Sequence, residues 1–243
     1  PDYEGLGAPG DHPYLVGASE GRSVLDAIRA ARSLGHASGR SAVYGWSQGG
    51  HAALFAARLA PTYAPDVRLV GAVAIAPVTD MASLVDGRSP FAREPGFVAM
   101  VAAGYVATYP ELDASDVVPA AAEAVGVARR SCALQAGASL EDLATLAPGA
   151  DWERRLHQND PATKRLRVPV LIVQGEDDEL LPLGDAVMAY RRLCGLDSTV
   201  RLQRLEATDH GTVIGRSTAE VVRWLDHRLA GERLHGCAQR RLA

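Results

Sequence analysis

Residues 42–54 read AVYGWSQGGHAAL, and no other stretch limits the folding of this chain as much. Small and apolar residues run into Gly45-Trp46-Ser47-Gln48-Gly49, and alanine-rich residues run out. A G-x-S-x-G pattern between a buried strand and a helix forms a sharp turn that lifts the serine hydroxyl above the sheet. The positive end of the following helix lies behind that hydroxyl. The Gln48 backbone N–H is then aimed where an oxyanion develops. Such a turn needs a parallel sheet, and the rest of the chain alternates accordingly. Residues 19–34 carry Val24, Leu25, Ile28, Ala31 and Leu34 at helical spacing, with Ser19 as the cap. Strands are expected at 41–46, 67–76, 168–174 and 199–205. Helices are expected at 49–60, stopped by Pro61, and at 184–194 and 216–230. Alternation of this kind implies right-handed crossovers and a parallel sheet covered on both faces.

Residues 80–166 break the rhythm. They contain no strand pattern, and prolines at 90, 95, 110, 119 and 148 separate short helical stretches. An insertion of this size between two sheet strands reads as a helical cap, leaving 1–79 and 167–243 as the core. Trp46, on the serine turn, and Phe97 and Tyr105, in the cap, are the candidate substrate-binding side chains. With 243 residues the chain has room for one large domain with an insertion. A net charge of −4 argues against a polyanion partner. No apolar run reaches the ~18–20 residues of a membrane span. Cys132, Cys194 and Cys237 lack metal-ligand spacing, so neither a metal nor a cofactor is expected. The chain opens on Pro1-Asp2-Tyr3 without a methionine, a basic start or an apolar leader, and is expected to be a processed or truncated product.

A serine hydroxyl becomes a useful nucleophile only when a base takes its proton. In a sheet of this type the order is serine, acid, histidine, with the later two in loops after later strands. GEDDELLP (175–182) follows the third strand and EATDHGT (206–212) the fourth, which selects His210 as base. His51, one turn along the nucleophile helix, is expected to pack. The acid lies among Glu176, Asp177, Asp178 and Glu179, and spacing alone leaves both aspartates open. Asp209 is discounted because adjacent side chains diverge.

Taken together, DYEGLG (2–7), HPYLVG (12–17), LDAIRAAR (25–32), GWSQGGHAALFAA (45–57), QGEDDELLP (174–182), DHGT (209–212) and WLDHRLAG (224–231) resemble the secretory lipase family of α/β-hydrolases. The resemblance implies an α/β-hydrolase fold with a helical lid, an exported lipase or esterase, and small acyl-ester or lipid substrates. The family's acid pattern G-x-x-D-x-x-[VL]-P falls on Gly175–Pro182 and selects Asp178, and its histidine falls on His210. It also implies a Cys194–Cys237 disulfide, leaving Cys132 in the cap. Members carry a long segment ahead of DYEGLG that supplies the first strands and the second oxyanion donor. Without it, the strand at 41–46 is an apolar edge, to be covered by an N-terminal segment, a residual strand near Asp2-Tyr3 or a second copy of the protein. The leading expectation is ester hydrolysis through acyl-Ser47. Gly50 also completes the G-x-S-x-G-G of serine peptidases of this fold, and a non-catalytic lipid-binding or interaction module is the third reading.

Overall fold

The computed structural model describes residues 1–35, 39–85, 88–117 and 149–242. Cys132, Pro119 and Pro148 lie outside the described residues, as does the part of the expected cap that carries them. The chain forms two compact units: Pro1 with Glu20–Thr79 and Pro161–Ala243, and Asp2–Ser19 with Asp80–Asp160. The opening residues, placed with the core on sequence grounds, therefore group with the insertion.

The first unit is built on a five-stranded sheet: β1 (Arg40–Trp46), β2 (Arg68–Ile75), β3 (Val170–Gly175), β4 (Val200–Leu205) and β5 (Cys237–Leu242). The strands lie in chain order, and every neighbouring pair is parallel. The helices are α1 (Gly17–Ser33), α2 (Gln48–Tyr63) and, after the insertion, helices at Leu183–Gly195 and Val213–Ala230. Alternation along the inner strands sorts their side chains onto two faces. Ala72 and Ala74, Val170 and Ile172, and Val200 and Leu202 pack with Leu25 of α1, the alanines of α2, and Ala186, Ala189 and Leu193. The intervening Val73, Ile75, Leu171 and Val173 pack with Val213, Val221 and Trp224. Apolar residues on both faces are what a covered parallel sheet demands, and they hold the strand ends in register.

Two expectations are corrected here. α2 does not stop at Pro61 but runs to Tyr63, where the Ala64 N–H still reaches Ala60 O. A proline in the last turn removes a single helical bond and leaves the others intact. The tail after the last helix is the strand β5, paired with β4 from Val200↔Cys237 to Leu205↔Leu242. The disulfide Cys194–Cys237, with Cα atoms 6.1 Å apart, ties its first residue to the helix before β4. Arg241 Nε donates to Glu176 Oε1 at 2.8 Å near its end. With arginines at 240 and 241, this edge strand carries the charge that discourages further pairing.

The second unit holds no strand among its described residues. Its helices are α3 (Pro95–Thr108) and α4 (Ala150–Gln158), which makes α5 of Leu183–Gly195 and α6 of Val213–Ala230. The Tyr105 ring stacks on Trp152 at 5.7 Å. Asn159 ties the unit together, its Nδ2 donating to Tyr109 Oη and its Oδ1 accepting from the Gly17 N–H, both at 2.9 Å. No described helix is long and apolar enough to cross a membrane.

Candidate active site

The Ser47 turn is held from both sides. Its N–H donates to Ile75 O of β2 at 2.9 Å, and its carbonyl accepts from Gly50 and His51, starting α2. Bridging strand and helix in one residue forces Ser47 to φ 55° and ψ −118°, a conformation that non-glycine residues rarely adopt. The turn closes because Gly45 has no side chain: a Cβ there lies 2.2 Å from Gly49 O. A Cβ at Gly49 meets nothing within 4 Å, so close approach is a demand on Gly45 rather than on both motif glycines.

His210 and Asp178 complete a chain of contacts within the same unit. His210 Nε2 lies 3.1 Å from Ser47 Oγ, and Nδ1 lies 2.9 Å from Asp178 Oδ2. The two loops meet because Gly175 is glycine; a Cβ there falls 2.2 Å from Thr208 O. Asp178 is buried and Asp177 exposed. Asp178 Oδ1 accepts from the Leu180 and Leu181 N–H groups at 3.0 and 2.8 Å. Its Oδ2 also accepts from Gln174 Nε2 at 2.8 Å. Asp209 is turned into its own loop, where the Thr212 backbone N–H and then the Thr212 hydroxyl hold its carboxyl below the usual carboxylate range. That leaves Asp178 in contact with the imidazole.

Several residues given another role or none by the sequence support these loops. Gln174, at the end of β3, clamps Asp178 while also donating to Leu181 O at 2.9 Å. Glu179 Oε2 accepts from the His210 N–H at 3.1 Å. Trp46 Nε1 donates to His210 O at 2.9 Å, with the two rings 4.9 Å apart. His51 does pack, but as a hydrogen-bonding partner: its Nδ1 lies 2.6 Å from buried Glu20 Oε2. Glu20 Oε1 accepts from Gln48 Nε2 at 2.8 Å. The carboxylate of α1 thus grips two side chains in the first turn of α2, next to Ser47. Glu20 was readable only as one more polar residue of an amphipathic helix.

Gln48, named for its backbone N–H, is the first residue of α2. Phe97 is partly buried in the second unit and stacks on Phe91 at 4.5 Å. Tyr105 is 0% exposed and donates to Leu15 O at 3.4 Å. Its contacts are those of a core side chain, which corrects its placement on a substrate surface. Among the described residues no group of His, Cys, Asp and Glu side chains is arranged to hold a metal.

Comparison with known proteins gives a family and a fold. The secretory lipase profile matches residues 1–134 and 154–236. The chain is 31% identical to a probable trichothecene esterase of Stachybotrys chartarum, over 84% of this chain and 46% of that one. It is 28% identical to Lipase 2 of Candida albicans, over 98% of this chain and 56% of that one. Candida antarctica lipase A superposes with a TM-score of 0.75 at 19% identity, covering 94% of this chain and 59% of the other. The rice cell wall degrading esterase LipA from Xanthomonas oryzae superposes with a TM-score of 0.73 at 23% identity, covering 96% and 71%. These structural neighbours share the α/β-hydrolase fold. The chain spans about half the length of the curated relatives it matches.

Proposed function

The chain belongs to the secretory lipase family, and on that premise we propose that it hydrolyses carboxylic esters through an acyl-Ser47 intermediate. The observation that carries the reading is the continuous line Ser47 Oγ–His210 Nε2, His210 Nδ1–Asp178 Oδ2. His210 takes the hydroxyl proton as Ser47 Oγ attacks the ester carbonyl. Asp178 holds the imidazole in orientation and stabilises its cation. The Gln48 N–H, at the positive end of α2, donates to the oxyanion. Collapse of the tetrahedral species breaks the C–O bond, and the leaving alcohol takes the proton from His210. Water then attacks the acyl-enzyme, giving its proton to His210, and Ser47 is regenerated with release of the acid. The strained φ of Ser47 supports the reading, since backbone strain of ~1–3 kcal/mol persists where a function is served.

Relatives named lipase and trichothecene esterase point to esters rather than amides. In this proposal Trp46, whose ring lies 4.9 Å from that of His210, is the substrate contact nearest the base. The Cys194–Cys237 bridge fits an oxidising, extracellular location. A fluorophosphonate probe with p-nitrophenyl esters of graded length tests the reading. The expected result is covalent labelling at Ser47, with turnover lost in Ser47→Ala and His210→Ala. A folded protein that neither labels nor turns over esters is a non-catalytic module, and the proposal falls.

A further inference from the structure

The first turn of α2 follows Ser47 and holds the proposed oxyanion donor, the Gln48 N–H. It is braced on two sides, both within the first unit. On one side lies the end of β2. The Ser47 N–H donates to Ile75 O at 2.9 Å, and a Cβ at Gly50 would fall 3.0 Å from Pro77 Cβ and 3.1 Å from Ile75 O. On the other side lies α1. Glu20, in the first turn of α1, is 1% exposed. Its Oε1 accepts from Gln48 Nε2 at 2.8 Å, and its Oε2 lies 2.6 Å from Nδ1 of the fully buried His51. Gln48 and His51 are three residues apart and share one face of the helix. The His51 N–H in turn donates to Ser47 O at 3.1 Å. The two helices approach this closely because residue 21 is glycine: a Cβ at Gly21 lies 2.9 Å from Phe55 C.

A carboxylate withdrawn from water is costly unless it is paired and hydrogen-bonded. An acid in the first turn of a helix is favourable while it stays at the surface, so a charge for α1 does not account for the burial of Glu20. What the burial achieves is a fixed separation between α1 and the two side chains of α2 on either side of its first turn. A backbone donor stabilises the transition state only when it is held where the oxyanion forms. A displacement of about 1 Å costs ~10²-fold in rate.

We infer that Glu20 is a positioning residue for the reaction at Ser47: by holding Gln48 and His51 it fixes the Gln48 N–H against the oxyanion. The inference rests on the ester hydrolysis proposed above and adds to it the group that keeps its donor in place.

The test compares Glu20→Ala and Glu20→Gln with the unsubstituted chain. Rates are taken per site titrated to completion with fluorophosphonate, so that unfolded protein does not count. The readouts are kcat and KM for p-nitrophenyl butyrate and the affinity of an alkyl trifluoromethyl ketone. Ser47 Oγ adds to the carbonyl carbon of that ketone, the hydroxyl proton passes to His210, and the carbonyl oxygen becomes an oxyanion. In Glu20→Ala, kcat should fall about 10²-fold with KM within about twofold. The ketone should weaken by the same factor as kcat/KM, as a transition-state analogue does. Glu20→Gln keeps the shape and an acceptor for Gln48, and should restore kcat to within about threefold of the unsubstituted chain. If Glu20→Ala does not fold, Gln48→Ala, which keeps the backbone N–H and removes one grip, should lower kcat and ketone affinity together about tenfold. Unchanged kcat per titrated site overturns the inference, as does a fall in kcat that leaves ketone affinity unaltered. An equal loss in Glu20→Gln and Glu20→Ala would trace the effect to charge rather than grip and overturn it too. An unsubstituted chain that neither reacts with the fluorophosphonate nor turns over the ester brings down the reaction at Ser47 first, and this inference with it.

Discussion

Ser47 and His210 are each carried by a local feature of the chain. The close approach at Gly45 marks the turn, and position after the last inner strand marks His210. The acid was less legible: from spacing alone Asp177 and Asp178 are equivalent, and the family pattern was needed to separate them. The two aspartates differ in their surroundings. Asp178 is buried and accepts bonds from Leu180, Leu181, Gln174 and His210, whereas Asp177 faces solvent. Asp178→Asn is accordingly expected to lower kcat about 10³–10⁴-fold by disturbing the imidazole's tautomer. Asp177→Asn should stay within about twofold, as for a surface change. Steady-state kinetics on one soluble ester reads both, and a larger loss at Asp177 reverses the assignment. Ser47 permits a separate check on strain. Replacing it with glycine, which tolerates positive φ, should abolish turnover yet raise stability by about 1 kcal/mol. A lower denaturation midpoint for Ser47→Gly would show that the turn is not strained. Glu20 and Gln174 were not legible, because their roles depend on partners that only folding brings near.

At the scale of elements, the inner strands were readable from their apolar runs, and most helices from their spacing. β5 was not. CAQRRL lacks the apolar content of a covered strand, since it lies at a sheet edge and is exposed over most of its length. Its place depends on non-local ties: the disulfide to Cys194, separated by 43 residues, and the Glu176–Arg241 pair. Closing a loop of that size contributes about 4 kcal/mol in the chain-entropy account. Cys237→Ser should therefore lose about 3–4 kcal/mol in denaturant unfolding and free the β5 amides for hydrogen exchange. Catalysis at low temperature should persist, because the triad loops do not contain β5. The ion pair adds a pH signature. The Arg241 side chain lowers the pKa of Glu176, so its contribution is present above the ordinary carboxylate pKa. It is lost as pH falls through the lowered value. Exchange at 241–242, corrected for intrinsic rates, should rise at acid pH, more so after reduction. Flat protection across that range would exclude a role for the pair.

At the scale of the whole molecule, the sheet order puts β1 at an edge, and Ser47 follows immediately after it. Among the described residues β1 pairs only with β2. Tyr44, in the middle of the strand, is 68% exposed. An apolar parallel edge is a poor place to anchor a nucleophile, because unpaired backbone groups invite further pairing. A displacement of about 1 Å costs ~10²-fold in rate. The proposed oxyanion site points the same way: with Gln48 as one N–H donor, loss of a partner donor costs ~10²–10³-fold. Relatives span about twice this length, and among the described residues the outer side of β1 has no strand partner. The expectation is that a chain extended upstream to the length of its relatives protects the outward-facing β1 amides from exchange. Its kcat/KM should exceed that of the 243-residue chain by ~10²-fold or more. Hydrogen exchange and native mass on both forms decide the matter, the mass showing whether a second copy takes the place of the extension. A monomer of the shorter chain with rapidly exchanging β1 amides and undiminished kcat/KM would show that the edge needs no cover for the serine turn to keep its shape.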